Sequence, residues 1–286
     1  MLEVFKSAVP YLTPIFVIST MLNVGLTQTL SAIVKHLKNV PFVLKMLVAN
    51  FVAAPLVMIV MLYFAPFDPA LKAGLLIFSL CAGAPFLIKL TQMAEQEVSL
   101  GAAVMMLLMV VSVAFVPLAL PLILSGLTVD AWAIGRTLGL QMLLPIIVGM
   151  LAIQFIPVIA RKAQPSVGWV GNITLYALII ATLVGYSANM LSIVGSGAIL
   201  ACLLFVLIAF GIGYLTGAGK DHHEDVGGLG TAQRNTAAGM IIATQNFSDH
   251  PDVLVMITLA NTLGIVMLMF IAKRLSRDNK VEVEPV

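Results

Sequence analysis

Charge is what this chain is short of. Only 10% of its 286 residues are Asp, Glu, Lys or Arg, while 60% are hydrophobic. A water-soluble domain carries roughly 25% charged residues, so this chain lacks the polar material to coat a globule, and its solvent is lipid. A cytosolic enzyme and a nucleic-acid binder are thereby excluded. Cysteine is scarce too. Cys81 and Cys202 both lie inside apolar runs, which excludes a disulfide scaffold and leaves two small buried hydrophobes. A net charge of +2 is too small to argue for an anionic partner in solution.

The apolar interiors also lack acid. All 13 Asp and Glu residues, among them Asp68, Glu95, Glu97, Asp130, Asp225, Asp249 and Asp252, fall in loops, tails or the edges of apolar runs. That weighs against a proton relay or cation site built on carboxylates. It also excludes an intramembrane enzyme, which needs a nucleophile–base or metal constellation. His222 and His223 beside Glu224 and Asp225 have the composition of a metal cluster, but adjacent histidines seldom point at one ion, and a solvated loop is the better reading.

What is present is a series of apolar runs. A helix needs ~20 apolar residues to cross the hydrocarbon core. Nine stretches qualify, at about 8–27, 41–64, 69–93, 97–126, 131–156, 166–192, 194–217, 223–246 and 251–273. The first contains Pro10, Pro14 and Asn23, lacks a small-residue cleavage pattern, and reads as a span rather than a signal peptide. Segments after odd-numbered spans carry Lys35, Lys38, Arg161, Lys162, Lys220, Lys273, Arg274, Arg277 and Lys280, against Lys6, Lys72 and Arg136 on the other side. This bias predicts an N-terminus outside and a C-terminus in the cytoplasm of a cell (inner) membrane.

Two spans are interrupted. The third carries Cys81-Ala-Gly-Ala-Pro85, with Gly83 and Pro85 as helix breakers; the eighth opens with Gly227-Gly-Leu-Gly230 and continues into Gln233-Arg234-Asn235-Thr236. Five crossings apart, they run in opposite directions, as in the inverted repeats of secondary transporters. Arg234 lies ~13 Å along a helix from Asp225 and ~22 Å from Asp249, beyond full snorkelling reach. No span offers it an acidic partner. It either recognises an anionic substrate, acts as a fixed internal cation, or ties broken-helix carbonyls together. Lys89, ~9 Å from Glu95, is an interfacial anchor or a site residue, and Lys45 is an anchor. Asn50 is interhelical glue or a ligand, and the same choice holds for Gln141, Asn261 and Thr262. Gln233, Asn235 and Thr236 have the stronger claim by proximity to Arg234. Met105, Met106 and Met109 read as packing.

These features resemble the bile acid:sodium symporter family over nearly the whole chain. Thr20-Met-Leu-Asn-Val-Gly-Leu-Thr27 is similar to its "MxGLTL" stretch, Asn50-Phe-Val-Ala-Ala-Pro55 to "QFxxxP", Cys81-Ala-Gly-Ala to the "CPGG" break, and Gln233-Arg-Asn-Thr236 to "MQNS". The resemblance implies an all-α integral membrane fold of inverted repeats, here a nine-span form, with two crossed discontinuous helices. Spans 1, 5 and 6 (about 8–27 and 131–192) would form a panel. Spans 2–4 and 7–9 (about 41–126 and 194–273) would form a core, with 274–286 a cytoplasmic tail. A small organic anion would bind between panel and core; no nucleic acid is implied, and oligomeric state is not legible. The family's sodium ligands fall on Leu87, Ile88, Gly230 and Arg234, on the hydroxyl-free stretch Gly101 to Met109, and on Asn50, whose amide alone is retained. The expectation is therefore a secondary transporter or facilitator without a cofactor and without a sodium site. A conventional sodium-coupled symporter and a non-transporting membrane sensor are the alternatives.

Overall fold

A computed structural model describes residues 2–28, 30–124, 130–219 and 223–283. Lys220 and His222, the end of the 97–126 stretch and the last three residues lie outside them. The described residues form helices in the order α1 (Leu2–Thr27), α2 (Leu30–Leu37), α3 (Val40–Val48), α4 (Ala54–Phe64), α5 (Pro69–Leu80), α6 (Leu87–Met93), α7 (Val98–Ile123) and α8 (Ala131–Leu138). They continue with α9 (Leu144–Phe155), α10 (Pro157–Gly185), α11 (Ser187–Val194), α12 (Ala198–Gly217), α13 (Glu224–Ala232), α14 (Thr236–Asn246) and α15 (Pro251–Val283). Wide turns at Ala49–Ala53 and Gly139–Leu143 join α3 to α4 and α8 to α9. Each lies just before a proline, Pro55 or Pro145, whose missing N–H breaks the regular ladder.

Among the described residues, seven helices are long and apolar enough to cross a membrane: Leu2–Thr27, Val40–Phe64, Val98–Ile123, Ala131–Phe155, Pro157–Gly185, Ala198–Gly217 and Pro251–Arg277. The stretches at 69–93 and 223–246 are each divided into two shorter helices, α5 with α6 and α13 with α14. The sixth span starts earlier than the charge pattern predicts. Pro157 is pre-set for a first helical turn, so Arg161 and Lys162 lie within α10.

Small residues set how closely the helices approach. Along α10, Gly185 lies against Phe5 and Lys6, Gly171 against Ser19 and Thr20, and Gly168 against Asn23, so α10 runs antiparallel to α1. Gly25 and Gly149 bring α1 and α9 into backbone contact. In α12 and α13, a Cβ added at Gly213 would strike the Gly227 carbonyl. This explains a departure from expectation: Gly230 does not break a helix. α13 continues through Gly227, Gly228 and Gly230 to Ala232, and its glycines serve contact with α12, Phe210 and a hydrocarbon cluster. The interruption falls at 233–235 instead.

Because overpacking of this kind strains backbone against backbone, Gly213→Ala is expected to cost about 2 kcal/mol or more, read as a lower midpoint of thermal unfolding in detergent. Gly211→Ala, with nothing within 4 Å of the added carbon, should leave the midpoint unchanged.

Candidate functional site

α5 ends at Leu80 and α13 at Ala232, and the residues that follow each are extended and pressed together. Ala82 and Arg234 form an antiparallel bridge, and the Asn235 amide donates to the Cys81 carbonyl at 2.8 Å. The Asn235 side chain donates to the Gly83 carbonyl at 3.0 Å and accepts from the Ala238 amide at 3.2 Å, capping α14. Ser112 of α7 serves both polar groups of Ala82: its hydroxyl accepts from the amide at 2.9 Å and donates to the carbonyl at 3.0 Å. Buried backbone groups outside helices cost several kcal/mol each in an apolar setting if left unpaired, and these side chains remove most of that cost. Gly83 has φ +79, and a Cβ there would collide with the Met109 backbone. Glycine is the residue that both the dihedral and the approach of α7 allow.

Arg234 is 1% exposed. Its Nη1 donates to Asn50 Oδ1 at 3.4 Å, and its guanidinium carbon lies 5.4 Å from the Phe205 ring centroid. Nε and Nη2 are enclosed without a protein acceptor. Asn50, in the wide turn at Ala49–Ala53, also donates to the Met46 carbonyl at 2.9 Å and to Thr231 Oγ1 at 3.1 Å. Thr236 donates to Asn261 Oδ1 at 2.7 Å. Arg234 sits at the carboxyl end of α13, where carbonyl dipoles concentrate negative potential and a cation is favoured.

A cavity of about 400 Å³ lies on the other side of this crossing. Phe16, Thr20, Asn23 and Thr27 of α1, Gln28 just after it, and Asn172 of α10 form one wall; the 84–86 stretch, Lys89 and Gln92 of α6, Gln233, Asn235, Thr236 and Asn261 form the other. Lys89 is exposed within it and donates to Gln92 Oε1 at 3.4 Å. Of the sequence-derived residues, Pro85, Lys89, Gln233, Asn235 and Thr236 line this space, whereas Arg234 and Asn50 are buried behind it. Gly230 sits deeper still: its α-carbon faces Val104 Cγ1, Leu87 Cδ2 and Met46 Cε, with an added Cβ only 3.0, 3.3 and 3.6 Å from them. Sequence reasoning missed Ser112 and Asn23, ordinary polar residues whose partners lie in other elements, and Gln92, whose partner Lys89 is on its own helix. Outside the membrane-spanning helices, Glu97 accepts from Ser99 at 2.7 Å and lies 3.3 Å from His36. The Ser99 hydroxyl, aided by His36, holds its carboxyl below the usual carboxylate range.

A polytopic helical membrane protein built around a polar-lined internal cavity is the class these features define. The sequence model of the Sodium Bile acid symporter family matches residues 14–213. The chain belongs to that family, a family of membrane transporters of the symporter kind and not of enzymes. The match ends within α12, so α13, α14 and Arg234 lie beyond it. No curated protein matches the chain at a significant level.

Asn235→Ala strands the Gly83 carbonyl and uncaps α14, and should lower stability by about 2 kcal/mol. Asn172→Ala, on the exposed cavity wall, should shift the same unfolding midpoint by less than a quarter as much.

Proposed function

We propose that this protein is a sodium-independent secondary transporter or facilitator of small organic anions. A panel of α1 and α8–α11 (about 8–27 and 131–192) moves against a core formed by the remaining helices. In this reading the chain makes nine crossings, with α5–α6 and α13–α14 as the two discontinuous helices of an inverted repeat. The N-terminus is outside the cell (inner) membrane.

The observation that carries the reading is the cavity between the two groups of helices. Among the described residues that line it, Lys89 is the only cation and there is no Asp, Glu or His. The amino end of α14, whose residues Thr236 and Ala237 reach the cavity, adds positive potential on the same wall. An anion is the solute such a lining favours, with Lys89 holding its charge and the amides of Asn23, Gln92, Gln233 and Asn235 its polar groups.

Two observations support independence from sodium. The position that resembles the family's glutamate ligand is Gly230, packed on Val104, Leu87 and Met46, where hydrocarbon replaces oxygen donors. The position that resembles its glutamine is Arg234. At an effective dielectric of ~20, two like charges 4 Å apart repel by ~4 kcal/mol, so a sodium ion beside the guanidinium is strongly disfavoured. The sodium cradle does not fit these residues. Arg234 instead supplies a tethered positive charge to the helix ends, and the substrate's charge falls to Lys89.

Three outcomes follow. Thermal stabilisation by a panel of carboxylates, run in sodium and again in choline, should differ less than twofold in apparent affinity; a severalfold gain in sodium overturns the proposal. Lys89→Gln should weaken binding of the best carboxylate by about tenfold or more with little change in melting temperature. In proteoliposome uptake, Arg234→Ala should lose at least tenfold in rate while Arg234→Lys keeps part of it, and normal transport by both removes Arg234 from the mechanism.

A further inference from the structure

The two groups of helices are bonded to each other away from the cavity. Thr137 of α8 donates to Gln245 Oε1 of α14 at 2.8 Å, and Asn189 of α11 donates to Asp252 Oδ1 of α15 at 2.8 Å. Both pairs lie at the end of the molecule where α1 begins. α10 reaches that end with Gly185 against Phe5 and Lys6, and Lys6 Nζ stands 5.8 Å from the Tyr186 ring centroid. α15 starts there at Asp252, passes Thr236 at Asn261, and reaches Glu95 at Ser276, whose hydroxyl donates to Glu95 Oε1 at 2.9 Å.

The cavity follows the opposite half of α1, from Phe16 to Gln28. At that end, polar side chains that face each other across the gap are bonded within their own group. Gln28 donates to Thr27 Oγ1 and Gln164 to Asn23 Oδ1 on one side; Lys89 donates to Gln92 on the other.

We infer that Thr137–Gln245 and Asn189–Asp252 are a gate latch that holds one mouth of the transport path shut while the cavity is open at the other. The inference rests on the alternating-access reading and assigns gate roles to four residues outside the substrate site. With the N-terminus outside, the latched mouth is the outer one and the open mouth is cytoplasmic. Both bonds are single side-chain contacts of the modest net strength typical of neutral or singly charged pairs, so the latch biases the two states without locking either.

The test places one reporter, Thr20→Cys, on the cavity wall of the full-length protein in proteoliposomes. A membrane-impermeant maleimide is added to one side at a time; Cys81 and Cys202 are buried and supply the background, read from the protein without the reporter. With the latch intact, labelling is fast from the cavity side and slow from the latch side. Adding Thr137→Val and Asn189→Leu should raise latch-side labelling about tenfold and lower cavity-side labelling, while Thr137→Ser alone leaves both rates as they were. Unchanged rates in the double variant overturn the latch. A rise from both sides also overturns it, because it signals loosened packing and not a shifted gate. If the reporter labels from both sides but the ratio does not respond, the latch falls and the transport reading stands. Labelling from one side only, in every variant, removes both. A reversed orientation in the membrane exchanges the two sides throughout and leaves the contrast between variants intact.

Discussion

The pairing of two non-helical stretches inside an apolar interior is the constraint on which the rest of this molecule depends. A helix satisfies its own backbone, and a chain that leaves helical geometry away from water must find other partners. Here the 81–83 and 234–235 stretches satisfy one another, with Asn235 and Ser112 supplying the remaining donors and acceptors. This explains several residues at once. Gly83 is needed because α7 passes too close for a side chain. Ser112 is the one hydroxyl of α7 placed to reach Ala82, and Asn235 is both bridge and cap.

Once the crossing is fixed, the two cations near it take different positions. Arg234 is directed inward, toward Asn50 and the face of Phe205, with hydrocarbon on most sides. A buried guanidinium with two enclosed donors is a net cost in a folded protein, partly offset by the ring and by the carbonyl ends of α13. Lys89, six residues past Gly83 and just after the apolar stretch Phe86 to Ile88, emerges on the other side into the cavity. One positive charge is thus enclosed behind the cavity, and the other is exposed within it.

Much of this was legible in the sequence, for reasons that can be traced residue by residue. Apolar runs and the want of charge announced a membrane protein, and Cys81-Ala-Gly-Ala-Pro85 marked the first interruption because glycine and proline together leave little else for a chain to do. The second interruption was placed too early. Glycine at 227, 228 and 230 signals either a break or a close helix contact, and only the position of α12 decides between them. The polar run Gln233-Arg234-Asn235 was the better signal. The different placing of Arg234 and Lys89 was not legible, since both faces of the crossing are equally near in sequence. Nor were Asn23–Gln164 or Thr137–Gln245, where partners 141 and 108 residues apart meet through tertiary packing alone.

The distribution of polar contacts is uneven in a way that bears on motion. Within the larger group of helices they run from its middle to one end: Asn235 to Gly83, Thr236 to Asn261, Asn50 to Thr231, Gln96 to Asp225, and Ser276 to Glu95. Such bonds, closed inside a dry interior, resist separate movement of the elements they join. Between the two groups the seam is apolar packing plus contacts at one end, with polar groups at the other end turned back on their own side. Sliding along such a seam exchanges one apolar surface for another and breaks few directional bonds, whereas movement within the larger group breaks many. On the alternating-access reading proposed above, this placement of amides and hydroxyls suits two bodies with a yielding boundary, and the cavity sits on that boundary.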